Sequence, residues 1–285
     1  MKLVHGGDTV GYRERYGHDA LDFSANVSPL GLPDAVARAI GEAAAQADKY
    51  PDPLCRGLVA ALEKAEGVPK DWILCGNGAA DLIFRLTLAK KPRHALILAP
   101  TFAEYAAALE TVDCEIHRYM LNEADDFALT DGILDAIQPP IDMVFLCQPN
   151  NPTGQAADRP LMRRILAKCE AVGAMLAVDE CFLDFLPDHE AWTMKPNLAA
   201  HPSLFILKAF TKLYGMAGVR LGYGLCADEK LLARMRSVGQ PWAVSSLAQA
   251  AGLAALEQGD YVARVRTLIE TERPYLLAGL RALGL

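Results

Sequence analysis

Short apolar runs alternate with helix-like segments over most of the chain, and this rhythm limits the folds open to it. Runs of this length suit strands that are buried on both faces. Because a longer segment separates most successive runs, the pattern predicts an α/β fold with a mostly parallel sheet and helices on both faces. The last run could be antiparallel to the others. The runs are WILC (72–75), HALILA (94–99), CEIHRY (114–119), DMVFLC (142–147), AMLAVD (174–179), SLFILK (203–208) and RLGYGLC (220–226).

The segments around these runs suggest three parts. Residues 1–32 are predicted to be an irregular arm, because glycines and a proline interrupt any regular pattern. Residues 33–257 are assigned to one large domain, which Pro33 opens with a helix, and residues 258–285 to a further helix. Thr101 and Glu104 have the spacing of a capping box, which predicts a helix start between the second and third runs.

Charge and cysteine content argue against several kinds of partner. The 285 residues carry a net charge of -7, which does not favour binding to nucleic acid or to an anionic membrane. The seven cysteines form no C-x-x-C pair, and no Cys/His cluster has the spacing of a zinc site, so no metal is predicted. Scattered thiols are typical of the cytoplasm. We find neither a leader peptide nor a membrane-spanning run.

The first candidate site is GNGAAD (76–81), which joins a predicted strand to a predicted helix. Active sites of parallel sheets lie at the carboxyl ends of their strands. The backbone N–H groups of Gly78, Ala79 and Ala80 would start the helix, and such groups bind phosphate well. Many strand-to-helix turns look alike, so an ordinary turn is the alternative.

Two further turns follow predicted strands. CQPNNPTG (147–154) can present an asparagine amide from a rigid turn, although such turns are common in any loop. AVDECF (177–182) places Asp179 at the end of an apolar strand, where a carboxylate is costly unless it is paired. The nitrogen of a pyridinium ring would be a suitable partner, because an ionised Asp keeps it protonated. A helix N-cap is the alternative for this residue.

The stretch KAFTKLYGMAGVRLGY (208–223) carries the remaining chemistry. Lys212 follows a predicted strand, and Arg220 comes eight residues later, after Gly215 and Gly218. An amine on a fixed loop can attack a carbonyl, and an arginine held nearby can bind a phosphate. A surface lysine on a glycine-rich loop is the alternative.

The order and spacing of these motifs resemble the fold-type I pyridoxal phosphate (PLP) enzymes of the class I/II aminotransferase superfamily. The resemblance covers nearly the whole chain and implies an aspartate-aminotransferase-like large domain, PLP as cofactor, and a homodimer with shared active sites. It implies that Lys212 forms a Schiff base with the cofactor and that Asp179 pairs with its pyridine nitrogen. It also implies that Asn151 forms a hydrogen bond with the phenolic oxygen and that Phe102 stacks on the ring. The cofactor phosphate would be held by Arg220 and the backbone of Gly78, Ala79 and Ala80, and Tyr50 would reach the cofactor of the neighbouring subunit.

The motifs also resemble one branch of the superfamily, that of the threonine-phosphate decarboxylases and histidinol-phosphate aminotransferases. HGGD, DFSANVSPLGLP, YPDP and PTFAEY are the stretches that carry this resemblance. It implies a phosphorylated amino acid substrate, contacted by His5, Gly6 and Asn26. Phe182 stands where aminotransferases of this group usually have Tyr, which favours decarboxylation of L-threonine O-3-phosphate in cobalamin biosynthesis. Transamination of histidinol phosphate or a related amino acid is the alternative.

Three departures from the superfamily pattern qualify this interpretation. Ala209 stands where a serine commonly contacts the cofactor phosphate, and Asp8 follows HGG where Asn is expected. Members of the superfamily also continue beyond the position of Leu285 into a small C-terminal domain with an arginine for the substrate carboxylate. We therefore expect that domain to be largely absent here. A truncated, non-catalytic PLP-fold protein is thus a third hypothesis.

Overall fold

The computed structural model describes residues 6–285, and a seven-stranded sheet forms its centre. The strands are β1 (Ile73–Gly76), β2 (His94–Ala99), β3 (Glu115–Met120), β4 (Met143–Cys147), β5 (Met175–Asp179), β6 (Leu204–Ala209) and β7 (Gly222–Leu225). Their order across the sheet is β1-β7-β6-β5-β4-β2-β3. All seven predicted strands are therefore confirmed, with bounds that differ by no more than two residues.

Strand direction also agrees with the prediction. β2 is parallel to β3 and β4, and the pairs β4–β5 and β5–β6 are parallel too. β7 is antiparallel to both of its neighbours, β1 and β6. The central strands are buried along their whole length because helices cover both faces of the sheet.

Helices connect and flank the strands. They are α1 (Thr9–Tyr16), α2 (Asp34–Ala44), α3 (Arg56–Glu66), α4 (Gly78–Lys90), α5 (Glu104–Glu110), α6 (Ile133–Ala136), α7 (Arg159–Ala171), α8 (His189–Trp192), α9 (Phe210–Leu213), α10 (Glu229–Val238), α11 (Ser246–Leu256) and α12 (Gly259–Ala282). α12 has 24 residues, yet neither it nor any other helix within residues 6–285 is long and apolar enough to cross a membrane.

The alternation of side chains along each strand produces two hydrophobic cores. Leu96 and Leu98 of β2 pack in the core that contains residues of α2, α3, α7 and α11. Ala95 and Ile97 of the same strand pack in the core that contains residues of α4, α5 and α10. The two cores hold the sheet rigidly between helix layers, so the loops at its carboxyl edge start from fixed positions.

The arm is less irregular than predicted. Residues 9–16 form α1, whose first turn is capped where the Asp8 Oδ1 accepts a 3.0 Å hydrogen bond from the Gly11 N–H. Gly17 ends the helix in the left-handed region, with φ of 75°. The helix buries no residue, so hydrophobic periodicity gave no sign of it. Asp8, which departs from the superfamily pattern, therefore serves as a helix cap.

The predicted capping box at Thr101 and Glu104 is wrong. α5 begins at Glu104 with Ala103 as its N-cap, and no side chain caps it. Thr101 instead donates its hydroxyl to the Asn150 Oδ1 at 2.8 Å, which ties the loop after β2 to the loop after β4. A spacing of three residues could not reveal this competing acceptor, which is 49 residues away.

The end of the arm packs against the short helix α9, which carries Lys212. The Ser28 N–H donates to the Lys212 carbonyl at 2.9 Å. The Ser28 hydroxyl lies 2.6 Å from the Tyr261 hydroxyl of α12, which also donates to the Gly31 carbonyl at 2.6 Å. These contacts link the arm, α12 and the carboxyl edge of the sheet. The three-part division of the chain at residues 32 and 257 stays a prediction.

Candidate active site

A cleft of about 130 Å³ opens at the carboxyl edge of the sheet, where the sequence placed the candidate motifs. Seven of the nine predicted cofactor-binding residues are among those that line it. The lining residues are Ala79, Ala80, Phe102, Cys147, Asn151, Asp179, Cys181, Phe182, Ala209, Thr211, Lys212 and Arg220.

Strand register explains how distant motifs meet in this cleft. Gly222 at the start of β7 pairs with Gly76 at the end of β1 and with Ala209 at the end of β6. Because β7 is antiparallel, its amino end lies at the same edge as the carboxyl ends of its neighbours. Arg220, two residues before Gly222, therefore lies near both the start of α4 and the helix α9 that carries Lys212.

Lys212 is the amine of the cleft. It is half-buried on the short helix α9, directly after β6, and its Nζ lies 5.5 Å from the centre of the Phe182 ring. The other lysine of this stretch, Lys208, is buried and bound elsewhere. Its Nζ donates to the Asp184 Oδ1 at 2.9 Å and lies 3.5 Å from the Glu66 Oε1. Lys212, and not Lys208, is thus positioned for chemistry in the cleft.

Asp179 is buried at the end of β5 and is held by two hydrogen bonds. Its Oδ2 accepts from the Tyr105 hydroxyl at 2.7 Å, and its Oδ1 accepts from the Cys181 N–H at 3.0 Å. The next helical turn, Leu183–Phe185, has Phe182 as its N-cap, so Asp179 is not a helix cap. Two donors hold the carboxylate in one orientation at the cleft wall.

The phenol and the two thiols next to Asp179 stay neutral near pH 7. Burial and the nearby Asp179 raise the pKa of Tyr105 well above its usual value, so its phenol remains a donor. The same two causes raise the pKa of Cys147 to about 12 and that of Cys181 well above the ordinary thiol value. Neither thiol is therefore a nucleophile at neutral pH.

An anion cradle forms where α4 begins. The N–H groups of the first turn have no acceptor within the helix, and Ala79 and Ala80 line the cleft. Gly78 has φ of +82°, and a Cβ there would lie 2.7 Å from the Arg220 Nη2. The absent side chain thus lets the guanidinium approach the helix N-terminus. Thr211 also faces the cleft, whereas Ala209 brings no hydroxyl to it.

The loop after β4 presents Asn151 to the cleft. Its neighbour Asn150 is buried and holds the loop in place, because its Nδ2 donates to the Pro100 carbonyl at 3.1 Å and to the Thr153 Oγ1 at 3.0 Å. On the other side of the cleft, the Phe102 ring meets the Tyr105 ring edge-on, with centroids 5.6 Å apart. An amide and an aromatic ring therefore reach the same space as Lys212 and Asp179.

The remaining predicted site residues lie elsewhere in the chain. Tyr50 is 80% exposed and stacks on Trp242, with ring centroids 4.5 Å apart. Asn26 is exposed, and Gly6 is so close to Ser24 that a Cβ on it would lie 2.3 Å from the serine Cβ. None of these three lines the cleft. His5 lies outside the described residues. The roles of these four residues remain predictions.

Comparison with known proteins identifies the family. The profile of the class I and II aminotransferases matches residues 18–285. This chain belongs to that family. Its members include PLP-dependent enzymes, and PLP is the cofactor for which the cleft is suited.

Individual relatives cover most of this aminotransferase-family chain. It is 45% identical over 241 residues to the threonine-phosphate decarboxylase of Salmonella typhimurium. This match covers 85% of the chain and 66% of that relative. It is 33% identical over 276 residues to the histidinol-phosphate aminotransferase of Symbiobacterium thermophilum. That match covers 96% of the chain and 74% of the relative. The chain thus spans about two thirds to three quarters of the length of these relatives.

Solved structures agree on the fold. The histidinol-phosphate aminotransferase of Clostridium acetobutylicum superposes with a TM-score of 0.84 at 26% identity, covering 92% of this chain and 77% of that one. The enzyme of Sinorhizobium meliloti in complex with pyridoxal-5'-phosphate superposes with a TM-score of 0.85 at 23% identity, covering 96% and 74%. The aspartate-aminotransferase-like fold that the motifs predicted is confirmed.

The cleft fits PLP on the evidence of its own side chains. A dianionic phosphate needs an arginine and free N–H groups, which Arg220 and the start of α4 supply at a cradle that a Cβ on Gly78 would fill. A pyridine nitrogen needs a fixed carboxylate, and Asp179 is fixed by two donors. An aldehyde needs an amine, and Lys212 is the lysine that lines the cleft.

Sequence reasoning missed four residues of the site. Tyr105 was part of a quoted motif, but only the fold shows that its hydroxyl binds Asp179, 74 residues away. Cys147 and Thr211 could have been found, because both follow or end predicted strands and so lie at the same edge as the other motifs. Cys181 lies in the AVDECF stretch (177–182) that was already a candidate motif, and its position two residues after Asp179 could have indicated it in the same way.

A buried ionic cluster between α3 and the strands β6 and β7 was also missed. Glu66 of α3 accepts hydrogen bonds from Tyr223 and from Lys195, the latter at 3.1 Å, and lies near Lys208. Burial opposes its ionisation, but Lys208, Tyr223 and Lys195 together lower its pKa. The cluster connects α3 to β6 and β7, the strands that lie directly before Lys212 and directly after Arg220.

Glu180 lies next to Asp179 but belongs to a different environment. It is fully buried, and its carboxylate accepts from the Thr193 hydroxyl at 2.7 Å and from the Met194 N–H at 2.8 Å. Burial raises the pKa of Glu180 to about 7, although Lys208 and these two hydrogen bonds act in the opposite direction. Adjacent carboxyl groups thus have separate roles, one in the cleft and one in the core.

Proposed function

We propose that this chain catalyses the PLP-dependent decarboxylation of L-threonine O-3-phosphate to aminopropanol phosphate. The observation that carries the proposal is the 45% identity to the threonine-phosphate decarboxylase of Salmonella typhimurium. The position of Phe182 supports it, because its ring lies 5.5 Å from the Lys212 Nζ at a place where a tyrosine hydroxyl would otherwise face the cleft. The reaction would supply an intermediate of cobalamin biosynthesis.

The cofactor, when bound, withdraws electrons from the bonds at the substrate Cα, whichever of them stands perpendicular to its ring. The chain's residues decide where the ring lies and which bond breaks. Arg220 and the first turn of α4 would bind the cofactor phosphate. Asp179, whose carboxylate is fixed by the Tyr105 hydroxyl, would keep the ring nitrogen protonated. Asn151 and Phe102, which also line the cleft, would orient the ring.

Lys212 attaches the cofactor and then handles the proton at Cα. In decarboxylation, carbon dioxide leaves and Cα receives a proton, which Lys212, half-buried in the cleft, or a water would donate. The apolar Phe182 beside it offers no competing proton donor. Binding of the substrate's own phosphate, for which His5, Gly6 and Asn26 are the proposed contacts, would turn the Cα–carboxylate bond into the reactive orientation.

A second candidate function is transamination of histidinol phosphate or a related amino acid. The 33% identity to the Symbiobacterium thermophilum enzyme favours it. The same Lys212, Asp179 and Arg220 would serve, but Lys212 would first remove the Cα proton instead of delivering one. The two reactions differ in the bond that is broken, and so in their products.

Product analysis tests these proposals. The cofactor-loaded protein is incubated with L-threonine O-3-phosphate without any keto acid, and in parallel with histidinol phosphate and 2-oxoglutarate. Carbon dioxide and aminopropanol phosphate in the first reaction are the expected result, whereas glutamate in the second alone would establish transamination. Neither product, with the cofactor bound, would contradict both reactions and support the hypothesis of a non-catalytic PLP-fold protein.

The role of Lys212 has its own test. Replacement by alanine should abolish the visible absorbance of the cofactor attached to the protein, because no other lysine of residues 6–285 lines the cleft. Lys230→Ala, a change at an exposed position of α10, is the matched control and should keep the band. A band that persisted in Lys212→Ala would contradict the assignment.

We also propose a homodimer with shared active sites in the cytoplasm. The exposed stack of Tyr50 and Trp242 supports the first part, because an exposed aromatic pair of this kind suits contact with another subunit. The seven cysteines support the second part, since all are buried free thiols.

A further inference from the structure

Three metal-binding side chains converge at the opposite end of β2 from the cleft. His94 is the first residue of β2, and Glu115 and His117 lie on β3 at the edge of the sheet. His94 and Glu115 are register partners, and His117 is two residues further along β3. Since alternate residues of a strand share a face, all three side chains project from the same side of the sheet.

The distances among their donor atoms suit a metal ion. The His94 Nδ1 and the His117 Nε2 are 3.4 Å apart. One oxygen of Glu115 lies 3.4 Å from the His94 nitrogen, and the other lies 3.5 Å from the His117 nitrogen. A tetrahedral ion with bonds of about 2.0–2.1 Å separates neighbouring ligand atoms by roughly 3.3–3.4 Å. The two imidazole nitrogens therefore already have the spacing of neighbouring ligands, and one ligand atom from each of the three side chains lies within 4.8 Å of the others, so a small rotation of the Glu115 carboxylate would complete the set.

The chemistry of the donors also favours a cation. Two imidazole nitrogens and a carboxylate direct lone pairs into one small space, and these lone pairs repel one another unless a proton or a metal ion lies between them. This donor set is the one that zinc and other divalent transition metals prefer over magnesium or calcium. The side chains are 29%, 37% and 65% exposed for His94, His117 and Glu115, so an ion could enter from solvent and keep water as a further ligand.

The backbone beneath the cluster is held by the sheet. The His94 N–H donates to the Asp142 Oδ1 at 3.2 Å, and the Glu115 N–H donates to the Arg93 carbonyl at 2.8 Å. Binding would therefore order only three side chains, and the loss of conformational entropy would be small. A site on paired strands is also more rigid than one on a loop.

We propose that His94, Glu115 and His117 form a site for a divalent transition metal, with zinc as the ion of best fit, which links the edge strand β3 to β2. β2 has six residues, so the site is roughly 17 Å from the carboxyl edge of the sheet. The ion would therefore stabilise the edge strand and take no part in the reaction. The sequence predicted no metal, because these residues come from two separate strands and follow no local ligand motif.

Zinc titration of the cofactor-loaded protein against a chromophoric chelator tests the proposal. We expect one ion per chain, and at least about ten-fold weaker binding in His117→Ala and in Glu115→Gln. His201→Ala is the matched control, because His201 pairs with a single carboxylate, that of Glu170 at 2.9 Å, and should not change the affinity. His117 lies at the exposed sheet edge, so its replacement should leave the fold and the cofactor absorbance unchanged.

Cobalt substitution separates this site from the cysteines. Cobalt bound by nitrogen and oxygen should give weak visible bands that are lost in His117→Ala, without the intense near-ultraviolet band of a cobalt–thiolate bond. Zinc should also raise the Tm of the wild type and not that of His117→Ala. Equal zinc affinity in the wild type and His117→Ala, or a cobalt–thiolate band, would overturn the proposal. The three side chains would then be a hydrogen-bonded group.

Discussion

At the scale of single residues, the orientation of Asp179 depends on Tyr105. The phenol is fully buried, stacks on Phe145 with ring centroids 5.2 Å apart, and donates to the carboxylate at 2.7 Å. A hydrogen bond to a charged group contributes more than one between neutral groups, and a buried carboxylate that loses a donor is costly. The aromatic side chain is therefore both a core residue and part of the site.

Tyr105→Phe tests this dual role. The variant keeps the ring packing and removes only the hydroxyl, so the free energy of unfolding of the cofactor-free protein should fall by about 1–3 kcal/mol. Cofactor affinity should also fall, because Asp179 would be less firmly held. Urea denaturation and a cofactor titration measure the two effects. Tyr16→Phe, at a half-exposed position, is the control, and an equal change in both variants would contradict the argument.

At the scale of elements, the amino end of α4 needs a glycine. Gly78 has φ of +82°, a region that costs a residue with a Cβ about 1–2 kcal/mol. A Cβ would also lie 2.7 Å from the Arg220 Nη2 and so push the guanidinium from the helix N-terminus. Both effects act on the proposed phosphate cradle.

Gly78→Ala should therefore weaken cofactor binding and lower stability by about 1–2 kcal/mol. Gly41→Ala is a matched control, because Gly41 lies within α2 and a Cβ there meets no atom within 4 Å. That change should instead stabilise the protein by about 0.5–1 kcal/mol, since alanine is the better helix former. Thermal unfolding and cofactor titration compare the two. Equal cofactor affinity in Gly78→Ala and wild type would contradict the assignment of the cradle.

The end of β5 provides a pH-dependent element. Folding raises the pKa of Glu180 from about 4.5 to about 7, chiefly by burial. A raised pKa means that the protonated group stabilises the fold at low pH, and that this contribution is lost as the pH rises through 7. The stability of the wild type should therefore decline between about pH 4.5 and about pH 7 through this group.

Glu180→Gln should remove that decline. A glutamine can still accept from the Met194 N–H and can donate to the Thr193 hydroxyl, but it cannot ionise. Relative to wild type, the variant should gain about 1–3 kcal/mol in free energy of unfolding at pH 8, and little at pH 5. Denaturant titrations at both pH values measure this, with the exposed Glu123→Gln as control. A difference that does not depend on pH would count against a buried, titrating Glu180.

At the scale of the whole molecule, the proposed dimer requires Tyr50 to act in the partner's site. Within its own chain, Tyr50 is 80% exposed and does not line the cleft that contains Lys212. A two-fold dimer with shared sites would combine Lys212 of one subunit with Tyr50 of the other.

Mixed dimers test this arrangement. Tyr50→Ala and Lys212→Ala should each impair both sites of a homodimer. A heterodimer of the two variants would have one site with both defects and one site with neither. Co-expression should therefore restore activity and normal cofactor affinity at one site of each heterodimer. Restoration would not occur if Tyr50 acted within its own subunit, because every site would then carry one defect.

The sequence by itself determined the sheet and the residue types at its carboxyl edge. Buried strands appear as apolar runs, and parallel strands end at a common edge, so Asn151, Asp179 and Lys212 could be placed together from local pattern alone. The glycine-containing turn at 76–81, between a predicted strand and a predicted helix, indicated the phosphate cradle in the same local way.

Only the tertiary structure decided which distant side chains meet. The bond from Tyr105 to Asp179 joins residues 74 positions apart, and the cluster of His94, Glu115 and His117 depends on the register of β2 against β3. Hydrophobic periodicity reports which face of an element is buried, but not which partner covers it. Contacts between separate elements arise from register and packing, and these follow from the whole chain instead of from any one segment.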